Sequence, residues 1–491
     1  MPCKKQEPYS PAPKKEDKIE ISEGTTIYGL VSCDGKGVPG VVVSDGIIVT
    51  TTDSEGVYQI ASQKKHGYVF ISIPSGYESE SYGVQPRFFH MVENNSNKVE
   101  RADFKLFKTD QSECTVLFFG DIHLANRTFC HDISQFREFT ADVNDFIASN
   151  GRRTYAVTLG DMTWDVFWNS NKYDLTSYLA EVNADFRNLQ IFHTMGNHDN
   201  DPTLAGDFLG ENAYKCILGP TYYSFNISGI HYIVLDDIMY RNETGERDFY
   251  RQVSDEQIAW MVEDLKYVSR QTPVFVAMHC PLYTDTGGSS LSGLWNLIKH
   301  FEGYDHIHFV TGHTHAMYNV DCLNRSVPVF ENNSGAVCGA WWMTGLNRPG
   351  THIGPDGAPG GYRVFQVKGS SFDWQYKGTG LPLETQFRAS HQGNGVVYIN
   401  IWDYDPLWEI SVTEGGKPLN VSRLTDVKDP LYLEVYEKYE TDHGYSVSYP
   451  AYETNHIFSV TASSPDSEIS ITVTDRFGRK YSDTFRISSQ S

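Results

Sequence analysis

Five short apolar runs in this chain each end in a polar cluster, and that repetition constrains the fold more than any other feature. Phe118-Phe119-Gly120 leads into Asp121-Ile122-His123, and Leu159-Gly160 into Asp161. Thr194-Met195 leads into Gly196-Asn197-His198-Asp199, Ala277-Met278 into His279-Cys280-Pro281, and Val310-Thr311 into Gly312-His313-Thr314-His315. Short apolar runs bounded by turn residues are the pattern of strands buried on both faces. Helical spacing falls between them. Ile133, Phe136, Val143 and Ile147 form one face, and Ser254-x-x-Gln257 is a capping box that opens another, with Ile258, Met261, Val262, Leu265 and Val268. Such strand–helix alternation predicts an α/β domain. Ligands of these sheets bind outside the carboxyl ends of the strands, so five clusters at five such ends converge on one place.

The residue types suit metal ions. Asp121, His123, Asp161, Asn197, His279, His313 and His315 offer oxygen and imidazole nitrogen and no thiolate, a set for borderline or harder divalent ions such as Mn, Fe, Co or Zn. They are more than one open catalytic ion takes, and enough for two ions that share a carboxylate. Two ions about 3.5–4 Å apart stabilise both the attacking and the leaving oxygen of an in-line displacement at phosphorus.

With these blocks in this order, the chain resembles the calcineurin-like metallophosphoesterase superfamily, whose pattern is Asp-x-His, Gly-Asp, Gly-Asn-His-Asp/Glu, a lone His and Gly-His-x-His. The resemblance implies two packed β-sheets flanked by helices, and hydrolysis of phosphoric mono- or diesters by a hydroxide bridging two divalent ions. It implies that Asp121, His123 and His315 hold one ion, that Asn197, His279 and His313 hold the other, and that Asp161 bridges. His198 would contact the phosphate and protonate the leaving oxygen. Protein Ser/Thr phosphatases of the superfamily extend Gly-Asp to Gly-Asp-x-x-Asp-Arg. Here the run is Gly160-Asp161-Met162-Thr163-Trp164-Asp165, with the acid displaced and no arginine, which counts against that reading. Asp165 and Asp199 are both candidates to orient His198.

At 491 residues the chain is too long for one core and predicts several domains. Residues 1–19, rich in proline and lysine, read as a flexible tail. Residues 20–108 hold short β-prone runs separated by turn clusters, which predicts a β-sandwich. Gly29, Gly37-Val38-Pro39-Gly40-Val41, Thr52-Asp53 and Gly56-Val57-Tyr58 make this segment similar to carboxypeptidase regulatory-like (transthyretin-like) domains. The phosphoesterase pattern spans 112–380. From 386 to 491 the helical periods vanish, which predicts a second all-β accessory domain punctuated by Asp405-Pro406, Gly415-Gly416, Asp429-Pro430 and Phe477-Gly478. Gly339-Ala340-Trp341-Trp342, the run Asp356-Gly357-Ala358-Pro359-Gly360-Gly361-Tyr362, Asp429-Pro430 and Asp475-Arg476-Phe477-Gly478 resemble bacterial secreted calcineurin-like phosphohydrolases of this three-part build.

Composition narrows the partners. A formal charge of −22 disfavours nucleic acid and anionic lipid surfaces. The expected substrate is small and phosphorylated: a nucleotide, or a lipid or glycan phosphate. No apolar run is long enough to span a bilayer. Export is expected, and Cys3 in the tail reads either as a lipid-anchored cysteine or as an incidental tail residue. The eight scattered cysteines read mainly as buried free thiols. Trp164, Trp168, Tyr222, Tyr223, Trp341 and Trp342 could line the site or pack in the core. Asp236-Asp237 reads as a solvated face. The alternative to an enzyme is an inactive phosphoesterase scaffold that acts as a surface binding protein.

Overall fold

The computed structural model describes residues 19–241, 248–464 and 466–487. The expected tail, with Cys3, lies outside the described residues apart from its last position.

Two mixed sheets form the centre. The first runs in the order Gln190–Phe192, Arg153–Thr158, Glu113–Phe119, Gly361–Lys368 and Ser371–Gly378. Its first three strands are parallel and its last two antiparallel. The second runs Tyr223–Ile227, Ile230–Val234, Val274–Ala277, Ile307–Thr311, Val329–Asn333 and Tyr318–Cys322, with a parallel centre of four strands. The period-two alternation of a strand decides which core each residue joins. Val116 and Phe118 point into the layer between the sheets, with Tyr232, Val276 and Phe365. Leu117 and Phe119 point the other way, onto Phe136, Phe139 and Val143 of the helix Asp132–Asn150. The helix Asp255–Asp264 is opened by Ser254, whose hydroxyl accepts from Gln257 N, and it buries Trp260 and Met261. Gln257 does not close the expected capping box; its amide pairs with both backbone groups of Asp236.

A sheet edge left bare presents unpaired N–H and C=O groups, and the flanking regions cover the edges here. The N-terminal region, built on the strands Ile27–Cys33, Val42–Ser44, Val49–Thr51, Val57–Ile60 and Tyr68–Ile71, meets one edge of each sheet. Asn226 N donates to Ile73 O and Ile191 N to Val84 O, both at 2.8 Å. A side chain at Gly29 would collide with the Ala102 carbonyl, which accounts for the glycine. The C-terminal region packs two four-stranded antiparallel sheets around Val397, Ile399, Ile469 and Ile471. It meets the opposite edges: Arg479 bonds the Trp374 carbonyl, and Arg476 reaches Asp321 at 2.8 Å.

Beside its antiparallel sheets, the C-terminal region carries a continuous helical segment of Pro430–Tyr432, Leu433–Lys438 and Tyr439–Asp442. Asp429-Pro430, read as a turn, is the helix start: the Asp429 carboxylate accepts from Leu431 N and Tyr432 N at 3.0 Å, and Pro430 takes the first turn, where no N–H is needed. Asp236 and Asp237 are no solvated face, since both are fully buried. Six cysteines (Cys33, Cys114, Cys130, Cys280, Cys322 and Cys338) are buried free thiols, as expected.

Arg363 is wholly buried where the two sheets meet the C-terminal region. Its guanidinium bonds Asp403, the Ser334 hydroxyl at 2.7 Å and the Asn333 carbonyl at 2.9 Å. Removing one partner of such a pair strands a charge at a cost of about 3–5 kcal/mol. Asp403→Ala is therefore expected to lower the thermal unfolding midpoint sharply, and Arg363→Met with Asp403→Leu to recover part of the loss, both read by calorimetry.

Candidate metal centre

The predicted donors follow the strands directly, on turns that force the backbone. Asp121 (φ 51°), His123 (50°), Asp161 (53°), His313 (69°) and His315 (56°) all lie in the left-handed region. Each such non-glycine residue costs roughly 1–3 kcal/mol and persists only where its surroundings over-determine it. Two glycines let the loops touch. A Cβ on Gly160, at φ 87°, would lie 2.6 Å from His279 Nδ1, and one on Gly196 would lie 2.3 Å from Asp161 N.

All seven donors come together in a buried cluster. His123 Nε2 and His315 Nε2 are 3.0 Å apart, and His315 Nε2 is 3.4 Å from Asp121 Oδ1. On the other side, His279 Nε2 lies 3.0 Å from both Asn197 Oδ1 and His313 Nδ1. Asp161 Oδ2 stands between the groups, 3.5 Å from His123 Nε2 and 3.4 Å from His279 Nε2.

Tautomers follow from the backbone. His279 Nδ1 donates to the Leu159 carbonyl at 2.7 Å and His315 Nδ1 to the Gly339 carbonyl at 3.0 Å. In the neutral rings each Nε2 then turns a lone pair into the cluster. Asp121 Oδ1, fully buried, has no hydrogen-bond partner there. Lone pairs that face one another across 3.0–3.5 Å fit divalent ions in two groups that share Asp161.

Titration agrees. Burial holds the His123 and His313 imidazoles well below their usual range and brings His315 down to about 4, so these rings are neutral at pH 7. Burial pushes the Asp121 carboxyl up to about 8. Burial also disfavours a charged His279, but Asp161 and Asp121 outweigh it and raise that ring to about 10. Burial opposes the Asp161 carboxylate too, and the charges of His279 and His198 overcome it, keeping Asp161 well below the usual carboxylate range.

His198 sits at the rim, 12% exposed at its side chain. Its Nδ1 lies 2.7 Å from Asp165 Oδ1, and its Nε2 faces Asp161 Oδ2 at 4.0 Å. Asp199 has another task. Its carboxylate accepts from Gly196 N (3.0 Å), Met162 N (3.3 Å) and Thr163 N (3.1 Å), so it ties the two donor loops together.

Several supports escaped the sequence reading. Asp237 accepts from His279 N (3.2 Å) and Cys280 N (2.7 Å), and Glu331 from Leu282 N and Tyr283 N. Burial pushes these carboxyls up, to about 6 for Asp237 and about 7 for Glu331. The signal for Asp237 was present, since it too follows an apolar strand, Ile230–Val234. Of the aromatic candidates, Trp164 and Trp341 flank the donors. Trp164 meets His123 and His198 edge-on at 5.4 and 5.6 Å. Trp341 stacks on His315 at 4.1 Å, and Tyr449 of the C-terminal region stacks on Trp341 at 3.8 Å. Tyr222, Tyr223 and Trp342 are buried packing residues whose polar tips bond backbone carbonyls, and Trp168 packs in the helix-side core.

Three family models match the chain in succession: the N terminal of calcineurin-like phosphoesterase over residues 25–109, calcineurin-like phosphoesterase over 114–317, and the C terminal of calcineurin-like phosphoesterase over 331–481. No curated protein matches the chain by sequence. Among solved structures, a dimetal phosphatase from Danio rerio aligns at 13% identity over 54% of this chain and 96% of its own, with a TM-score of 0.35. A 5'-nucleotidase from Candida albicans aligns at 16% identity over 55% of this chain and 53% of its own, with a TM-score of 0.33. A 5'-nucleotidase precursor from Thermus thermophilus aligns at 11% identity over 54% of each chain, with a TM-score of 0.31. The match thus spans about half the length of either nucleotidase.

Metal must displace the protons held by His279 and Asp121. Loading stripped protein with Mn²⁺ at pH 7 is expected to release protons, and apparent affinity to rise with pH towards about 10, where the His279 proton is lost unaided. Calorimetric titration in two buffers of different ionisation enthalpy reads the release. Tyr449→Ala removes the ring behind Trp341 and is expected to weaken metal retention about tenfold, the lower end for residues that support a ligand, as measured by competition with a chelator.

Proposed function

The chain belongs to the calcineurin-like phosphoesterases, and from that premise we propose that it hydrolyses small phosphoric esters with two divalent ions held by the seven donors. The observation that carries this reading is the pair of donor groups sharing Asp161, with the Asp165–His198 pair at their rim. Asp121, His123 and His315 would hold one ion, Asn197, His279 and His313 the other, and Asp161 would serve both. When bound, such ions lower the pKa of water and offset the charge that builds on a phosphoryl group.

The chain's own residues set the geometry. The carbonyls of Leu159 and Gly339 fix the rings of His279 and His315, and Asp199 and Asp237 hold the loops that carry the donors. Asp165 accepts the Nδ1 proton of His198 and so directs Nε2 toward the cluster. From there His198 binds a phosphoryl oxygen and donates a proton to the departing alcohol. Residues 112–380 make the phosphoesterase domain, and 20–108 and 386–491 are accessory domains. Among the described residues no helix is long and apolar enough to cross a membrane.

The test strips the protein with chelator, restores Mn²⁺, and compares a chromogenic phosphodiester with the matching monoester. Metal-dependent cleavage is expected. Asp161→Asn should lower both activity and metal retention by orders of magnitude, while His198→Ala should cost about 10²–10⁴ in kcat, the usual worth of a general acid, with metal retained. Absence of any cleavage by metal-loaded protein would overturn the assignment and favour an inactive scaffold.

A further inference from the structure

Beside the donor cluster lies a cavity of about 300 Å³ that the steps above leave unused. Its floor is made by the residues that adjoin the donors on their own loops. Pro281 follows His279-Cys280, and Thr314 and Ala316 flank His315. Arg251 also lines the cavity, and its charge acts on both His313 and Cys280. The far wall comes from the C-terminal region, residues 452–455. Asn455 ties that wall to the phosphoesterase domain by donating to the Asp285 carbonyl at 3.2 Å. Asp356, at the bottom, is committed to the fold, because its carboxylate accepts from Met317 N at 2.6 Å and Ala358 N at 3.0 Å. The cavity therefore adjoins the loops that carry the donors and is lined from both the phosphoesterase and the C-terminal region.

Its chemistry discriminates between substrate classes. The volume is at the low end for small-molecule pockets, room for one ring and too little for a lipid chain. Asp285 and Glu453 outnumber Arg251, so a second phosphate would meet net repulsion. Among the lining residues no two rings face each other to sandwich a base: Tyr452 is 38% exposed, and the Tyr318 hydroxyl is engaged by the Tyr283 carbonyl. What remains is the Ser290 hydroxyl, two exposed carboxylates that accept hydroxyl protons, and one aromatic face, while the Thr284 and Thr314 hydroxyls already accept from Gly288 N and Asn333 Nδ2.

We propose that this cavity holds the alcohol portion of the ester and that the alcohol is a sugar or comparable polyol. The proposal rests on the phosphoesterase reading above and specifies its substrate. Water adds to phosphorus, the P–O bond to the sugar breaks, and the sugar oxygen leaves with a proton, giving free sugar and inorganic phosphate.

A site built around hydroxyl groups rejects an analogue that lacks them. The experiment compares kcat/KM of the Mn²⁺-loaded full chain for glucose 6-phosphate, glucose 1-phosphate, adenosine 5'-monophosphate and hexyl phosphate, with p-nitrophenyl phosphate as a general reporter. At least one sugar phosphate is expected to exceed hexyl phosphate by about tenfold or more. The double variant Asp285→Asn/Glu453→Gln, at two exposed positions, is expected to shrink that ratio severalfold, with metal content and unfolding midpoint unchanged. A preference for hexyl phosphate or the nucleotide, or a ratio untouched by the double variant, overturns the sugar site while leaving the hydrolase intact. If p-nitrophenyl phosphate and the matching chromogenic diester both go uncleaved, the phosphoesterase reading itself fails.

Discussion

Seven lone-pair donors turned toward one another in a buried volume repel unless cations or protons sit among them, and much of the molecule serves to hold them there. Five of the donors occupy left-handed backbone, a local cost that only surrounding structure can offset. The offset is visible as a network. Asp199 clamps the Gly160-Asp161 and Gly196-Asn197 turns, Asp237 clamps the turn after Ala277, and Glu331 the residues beyond it. These three carboxylates are buried, and each is satisfied by backbone N–H groups, the condition under which a buried charge is tolerated.

The flanking regions extend the same logic outward. The central sheets would expose edges on two sides, and the N-terminal and C-terminal regions cover opposite pairs of them. The C-terminal region goes further. Its helical segment, which begins at Pro430, packs Tyr432 and Tyr436 against Ala340 and Ile353 beside the centre. Tyr449 backs Trp341, which in turn backs His315. A region that contributes none of the seven clustered side chains thus supports one of them and forms a wall of the adjoining cavity.

Much of the centre was legible in the chain because its signal is local. An apolar strand followed at once by Asp, His or Asn places a donor at a strand end, and helical spacing between such strands makes them parallel. The same rule, applied to Ile230–Val234, would have revealed Asp237; charge alone suggested a solvated face, and burial overrode it. Asp429-Pro430 misled because a turn and a capped helix start share the same two residues, and only the helical hydrogen bonds beyond distinguish them. The choice between Asp165 and Asp199 beside His198 was closed to sequence, since Asp199 adjoins it in the chain while Asp165, 33 positions away, meets it only through the fold.

The sequence by itself determined the α/β framework, the presence of β-rich flanking regions and which seven side chains stand at the strand ends, because each depends on residue type and short-range period. Tertiary structure alone decided which oxygen meets which ring, that Asp161 stands between two groups, that Trp341 and Tyr449 stack behind His315, and that residues 452–455 close a cavity against loops more than a hundred positions earlier. Those contacts join segments far apart in the chain. Their geometry is set by how the sheets and domains pack, which no local pattern of residues encodes.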